Sequence, residues 1–353
     1  MTEDELLSVL ETESDDAEQF NSGQLAQDRT QSMRDYMRMP YGNEESGRSQ
    51  VISSDVFDAV EGMLPDLIEV FASTDEAVRF DPVSAEDEEG AQQATDGCNY
   101  VFYKQNNGFF ILYTAAKDAL SLKTGGVKWW WDERRTPTFT TYKDVGEMQL
   151  AMFLIQNPKA EVLEKDELPP GEEQFDEFGQ PIPQGRHFTV KIKTVETKGK
   201  VCVENFPPDE LLIAPRHASP LLDGCPYVAH ICQRTLSDIH QMGFTDVTVD
   251  DVRAAQSERV SQSADRQLRD TLTNRFWEEN DRTDDAMVKG WIREEYILVD
   301  FDGDGIAERR RVLRLGKKIL SNDECSHVQI AAWTPYLLTH QFFGISVAEN
   351  LLA

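Results

Sequence analysis

Three adjacent tryptophans, Trp129, Trp130 and Trp131, constrain this chain more than any other stretch. They close the run Val127-Lys-Trp-Trp-Trp131, whose aromatic content favours a strand. Successive side chains of a strand point to opposite faces, so Trp129 and Trp131 share one side and Trp130 takes the other. Each indole carries a large apolar surface. Both faces of the strand therefore need cover, either from two layers of one core or from one layer and a neighbouring subunit. The two-sided core strand is the commoner arrangement.

The residues leading into that strand read as two helices in series. Ser84-Ala-Glu-Asp87 has the form of a capping box. Apolar positions Ala91, Ala94, Cys98, Val101 and Phe102 follow at helical spacing, leaving Gln92, Gln93, Asn99 and Lys104 outside. Asn106-Asn107-Gly108 tolerates left-handed backbone and marks an end or a bend. A second stripe runs from Phe109 to Leu120, and Gly125-Gly126 stops it. Upstream, Val56 to Phe71 forms a further stripe with Ser54 as its cap, so residues 47–125 read as a helical layer.

Residues 1–46 are acidic, rich in Gln and Ser and weakly periodic, which predicts a flexible tail with a short helix around Gln24 to Met37. Beyond Trp131 the pattern predicts a β-rich module over 126–225. Its strands fall at 139–142, 160–163, 188–195 and 200–206, with Thr197-Lys-Gly199 as a hairpin turn. An acidic, Pro-rich loop is expected at 164–185. Residues 226–290 read as a helical segment: Pro226 opens a helix with stripe Val228, Ile231, Cys232, Leu236 and Ile239, and a polar, mobile stretch follows over 250–283. Residues 291–353 read as a β meander and the start of an apolar helix, cut off so that the chain looks truncated. The fold class is α+β: a helical N-terminal layer, a small antiparallel β-rich module and a β meander.

Sixty-four acidic against 35 basic residues give a formal charge of −29, which disfavours tight binding of nucleic acid. The absence of an eighteen-residue apolar run and of a basic-then-apolar leader suits a chain that is not anchored. Five cysteines without CxxC spacing suit reduced thiols. Neither GxxxxGK[ST] nor GxGxxG occurs, so an ATP-driven step would need the motor of another protein.

Asp300, Asp302, Asp304 and Gly305 match the first, third, fifth and sixth positions of a calcium loop, with Glu308 at the ninth. The twelfth is Arg311, so the bidentate carboxylate is missing. The pattern reads first as an Asp/Gly-rich hairpin turn and second as a weak calcium or magnesium site; no other cofactor is expected. His217, Cys225, His230, Cys232 and His240 lack the paired spacing of a zinc site and read as a core cysteine with surface or capping histidines. Gly344-Ile-Ser346-Val-Ala348 lacks the second glycine of a nucleophile elbow, and no catalytic residue is assigned.

Several stretches together resemble the portal protein of tailed double-stranded DNA bacteriophages, of the short-tailed type. They are GRSQVISSDVFDAVEGMLPDLIEVF (47–71), EGAQQATDGCNYVFYKQNNGFFILYTAAKDALSLKTGGVKWWWDE (89–133), PYVAHICQRTLSDIHQMGF (226–244), DFDGDGIAERRRVL (300–313) and HQFFGISVAENLL (340–352). The resemblance implies a non-enzymatic ring, usually of twelve subunits, at one capsid vertex, through which double-stranded DNA passes without tight binding. It implies terminase, scaffold, capsid and tail adaptor proteins as partners, and a virion location after assembly in the host cytoplasm. Family members are about twice as long, with wing, stem, clip and crown, so this N-terminal half should be mostly wing. Interface candidates are Trp129, Trp130 and Trp131 as aromatic anchors, and Arg309, Arg310 and Arg311 against acidic surface of the next subunit.

Overall fold

The structure, a computed structural model, describes residues 1–42, 45, 47–49, 51–72, 76–168, 186–256, 262–273 and 284–352. The chain divides into two compact units. The larger comprises Met1–Trp131, Val201–His240 and Phe244–Ala353; the smaller comprises Asp132–Lys200 with Gln241–Gly243. The class is α+β, with antiparallel strand pairing.

The larger unit begins with α1 (Glu3–Phe20) and α2 (Ala26–Tyr36), joined by a π turn over Asn21–Leu25. Thr2 and Glu5 close a capping box at its start. The helix expected around Gln24 to Met37 is α2, but what precedes it is not a flexible tail: Leu6, Leu10 and Ala17 of α1 are fully buried in the main core. Sequence pattern hides this because α1 and α2 also bury polar groups, each matched by a partner far along the chain. Glu18 pairs with Arg293, Asn21 donates to the Asp209 carbonyl, and Arg29 lies 3.5 Å from Asp265. Positions that look solvent-facing are thus buried by pairing.

α3 (Asp55–Ala72) runs on through Pro65, and Val60, Leu64 and Ile68 pack against Ala116 and Leu120 of α5 (Gly108–Leu122). Between them α4 (Glu88–Asn99) starts after a single 3-10 turn at Ala85–Asp87, at the expected place, although no capping box closes it: Ser84 donates its hydroxyl to the Asp87 carboxylate and caps no backbone amide. Its buried face differs from the expected one: Cys98 is exposed while Thr95 and Asn99 are buried. Asn99 accepts from the amides of Ala77 and Val78 and donates to the Val78 carbonyl; Thr95 accepts from the Phe80 amide. Two polar side chains thus hold an extended segment where sheet bonding is absent. Asn107 adopts φ 54° and ψ 50°, the left-handed bend expected at that triplet.

β1 (Gly125–Gly146) follows α5 at close range: a Cβ on Gly125 would run into the Ala115 carbonyl, and one on Gly126 into the Phe206 ring. β1 takes in the expected strand at 139–142. α6 (Glu147–Gln156) and β2 (Glu161–Glu167) come next, so Glu164 to Glu167 belong to a strand; 169–185 lie outside the described residues. β3 (His187–Phe206) is a single strand, without a hairpin turn at Thr197-Lys-Gly199. Gly199 takes no left-handed φ, so nothing reverses the chain there. The smaller unit has its own core of Leu150, Phe188, Val190 and Ile192.

Five strands then form the main sheet in sequence order: β4 (Leu211–Ile213), β5 (Tyr227–Thr235), β6 (Lys289–Val299), β7 (Glu308–Leu315) and β8 (Lys318–Glu324). The meander over 291–324 matches its expectation, including the turn at Gly316, φ 56°. Residues 227–235 do not form the expected helix. Tyr227, Val228, Ala229, His230 and Ile231 are all buried, so this is a strand covered on both faces, whose unbroken apolar run also satisfies a helical stripe. Helix begins only at α7 (Leu236–Gln241), followed by α8 (Val249–Ala254) and α9 (Ala264–Thr273). The polar stretch expected to be mobile is in part anchored: Asp265 and Arg266 of α9 are buried. Residues 257–261 and 274–283 lie outside the described residues. β9 (Ile330–Trp333) pairs with β1 at Gly125 to Lys128, and α10 (Val347–Leu352) ends the described chain.

Candidate subunit interface and acidic turn

The tryptophan strand is not a two-sided core strand. Trp129 and Trp130 are half-buried and Trp131 is 62% exposed. Trp129 stacks on His327 at 6.5 Å between ring centroids, and Trp130 lies 5.4 Å from the Lys128 ammonium. Trp131 is therefore the most exposed indole of the triplet.

Beneath these indoles lies a network of buried charge. Lys128 pairs with Glu294 and sits 3.3 Å from His230 Nδ1. Glu294 also accepts from Arg311 at 2.6 Å and from the Tyr296 hydroxyl at 2.9 Å. Burial alone would raise the Glu294 carboxyl, but Lys128 and Arg311 outweigh it and hold it at about 2. Next to this cluster, Arg266 bridges Asp209 and Glu210, and Arg269 pairs with Asp209. On the opposite face of β6, Glu295 is fully buried and takes two bonds from Arg314 at 2.8 Å and one from the Tyr227 hydroxyl at 2.8 Å.

The expected arginine interface is not available. Arg309 is buried and donates to the carbonyls of Cys225 and Asp223. Arg310 holds Asn322 and covers the Phe301 ring, and Arg311 holds Glu294. All three guanidinium groups organise their own sheet, because antiparallel pairing sets them beside acceptors that sequence order does not reveal.

Asp300, Asp302 and Asp304 do converge, with carboxylate oxygens within 4.8 Å of one another. Asp300 accepts from the amides of Gly303 and Gly305, Asp302 from Asp304, and Asp304 from Ile306. Glu308 accepts from the Phe301 amide. The turn is thus an Asx-type hairpin connection between β6 and β7, closed by its own carboxylates. Cys225 is buried and donates to the Tyr227 carbonyl at 3.1 Å. His217 and His240 reach backbone carbonyls of Leu221 and Val247. His230, expected at the surface or at a cap, is buried between Lys128 and Glu210; burial and the Lys128 charge lower its pKa. On a strand His230 and Cys232 share a face, whereas a helix would have separated them.

Residues 6–353 match the family described as phage SU10 portal protein. The chain belongs to that portal family. No curated protein matches it. A portal protein is a structural component of the phage particle, and among the described residues of this one no helix is long and apolar enough to cross a membrane.

Two apolar faces of this portal protein escaped sequence reasoning. On α6, Met148, Met152 and Ile155 are 78%, 58% and 80% exposed. Between α3 and α5 runs a groove of about 370 Å³ lined by Pro65, Ile68, Ala72, Phe109 and Tyr113, with Glu69 at its edge. The signal for the first is present in the text: EMQLAMFLIQ is apolar around most of its circumference, which a helix covered on one side only does not need.

Proposed function

We propose that the chain builds a ring, of twelve subunits, at one capsid vertex, and that viral DNA is packaged and later ejected through it. Terminase, scaffold, capsid and tail adaptor proteins dock on that ring, and this chain supplies mostly its wing. The observation that carries the reading is the family match over nearly the whole chain. Two physical features support it. A formal charge of −29 suits a conduit for a polyanion, because each phosphate neutralised by a wall would add counterion-release free energy to be lost again at every step. Trp131 supplies an exposed aromatic anchor of the kind that interfaces use. Mass photometry with negative-stain imaging tests it: the expected outcome is a closed ring with a central hole. A species that stays monomeric at every concentration overturns it.

A second reading is weak calcium or magnesium binding at Asp300, Asp302, Asp304 and Glu308. It draws on the convergence of three carboxylates within 4.8 Å. Calorimetry decides it, since no heat at millimolar metal removes it.

A further inference from the structure

We infer that α6 of one copy docks in the groove between α3 and α5 of the next, so that the smaller unit of each subunit clasps the larger unit of its neighbour. The inference rests on the ring reading above and gives it a specific contact.

α6 is one side of the argument. Leu150, Phe153 and Leu154 face the smaller unit's own core. Met148, Met152 and Ile155 follow one another at intervals of four and three residues, so they form a single outward stripe opposite that core. Polar residues belong on the solvent face of a surface helix, and here that face carries sulfur and hydrocarbon. Methionine and isoleucine at that spacing are the anchors of a helix laid into an apolar groove. Exposed lysines bracket the helix, Lys143 before it and Lys159 after it, and neither has an ion-pair partner among the described residues.

The groove is the other side. Its lining is hydrocarbon and aromatic, without the few converging polar groups that fix a small ligand, so it suits an apolar side chain better than a metabolite. Phe109, which lines it, is itself 45% exposed. Its edge is acidic: Glu69 lines it, Asp66 lies three residues earlier on α3, both are exposed, and Lys117 of α5 is held by Glu61.

Charge selects the occupant. A chain at −29 repels its own copies, so an association between them must bring its least acidic part against its most acidic. Residues 132–200 hold 10 Lys and Arg against 13 Asp and Glu, whereas the rest of the chain holds 25 against 51. The lysine-flanked stripe therefore belongs to the part that a second copy accepts, and the carboxylate-edged groove to the part that accepts it. Because stripe and groove are different surfaces, the contact is head-to-tail, the kind that propagates and closes into a ring when the rotation allows.

The test uses two variants of the full chain with all substitutions at exposed positions. Met148→Glu with Ile155→Glu spoils the stripe, and Phe109→Glu, at an exposed lining position, spoils the groove. Circular dichroism melts confirm that both fold. By sedimentation velocity, wild type is expected to form the ring and each variant alone to be monomeric. A mixture is expected to give heterodimers and nothing larger, because only one intact stripe meets one intact groove. A further pair checks the charge: Lys143→Glu with Lys159→Glu should weaken assembly at least tenfold, and adding Asp66→Lys with Glu69→Lys should restore it. Rings formed by either apolar variant overturn the inference and leave the ring reading standing. Wild type that never associates overturns both.

Discussion

Glu295 offers the sharpest test of how the main sheet is held. Its carboxylate is fully buried and receives three hydrogen bonds of 2.8 Å, two from Arg314 and one from Tyr227. The Arg314 side chain is itself only 5% exposed. Glu295→Gln keeps the size and shape, so no cavity forms, but it leaves a guanidinium buried without its counter-charge. Breaking one side of such a pair costs about 3–5 kcal/mol. The whole cluster is a different matter. Replacing it by Glu295→Met, Arg314→Met and Tyr227→Phe removes the carboxylate, the guanidinium and the hydroxyl that would otherwise be orphaned at about 1–3 kcal/mol, and leaves the half-buried Gly316 carbonyl, which Arg314 also bonds at 3.1 Å, to solvent. That triple variant should be between neutral and about 4 kcal/mol more stable than the parent. Urea unfolding followed by circular dichroism measures both, with the denaturant slope compared across variants to confirm that the same surface unfolds. A Glu295→Gln cost below about 1 kcal/mol, or a triple variant as unstable as the single one, would refute the reasoning.

Other outcomes follow from the same geometry. Glu294 is held at about 2 against an ordinary 4.5, a gap equivalent to about 3 kcal/mol. Because its folded pKa is depressed, that stability is present above pH 4.5 and disappears as the pH falls toward 2; Glu294→Gln should flatten this acid limb in a stability-versus-pH series. Leu6→Ala or Leu10→Ala should each cost about 2–5 kcal/mol in urea unfolding, whereas a flexible tail would make both silent. Asn99→Leu removes three bonds to the 77–78 backbone, and hydrogen exchange at Ala77 and Val78 should quicken by an amount equivalent to about 1–3 kcal/mol.

The parts of the fold that were legible in the sequence are those whose signals are local. The hairpins around Asp300–Gly305 and Gly316 announce themselves by turn chemistry, and the bend at Asn107 by its neighbours. The start of α4 falls where Ser84 to Asp87 place it, although those two side chains bond each other instead of the helix amides. What stayed hidden depends on distant partners. α1 looks solvated until Arg293 arrives to neutralise Glu18, and β5 looks helical because a doubly covered strand satisfies both periods. Arg309 to Arg311 looked like a basic patch until the register of β6 and β7 gave Arg311 its acceptor. Of the proposed interface, the tryptophan run was visible, although only Trp131 turned out to be largely open. The α6 stripe went unread because an almost wholly apolar helix has no contrast to reveal which side is out.

The amino group of Met1 donates to the carbonyl of Phe301 at 2.8 Å, which brings together two residues whose synthesis is separated by 300 positions. At a ribosomal pace of about 5–20 residues per second, α1 waits roughly 15–60 seconds for the strands that receive it. During that interval Leu6 and Leu10 have no destination and are open to chaperones or to another nascent chain.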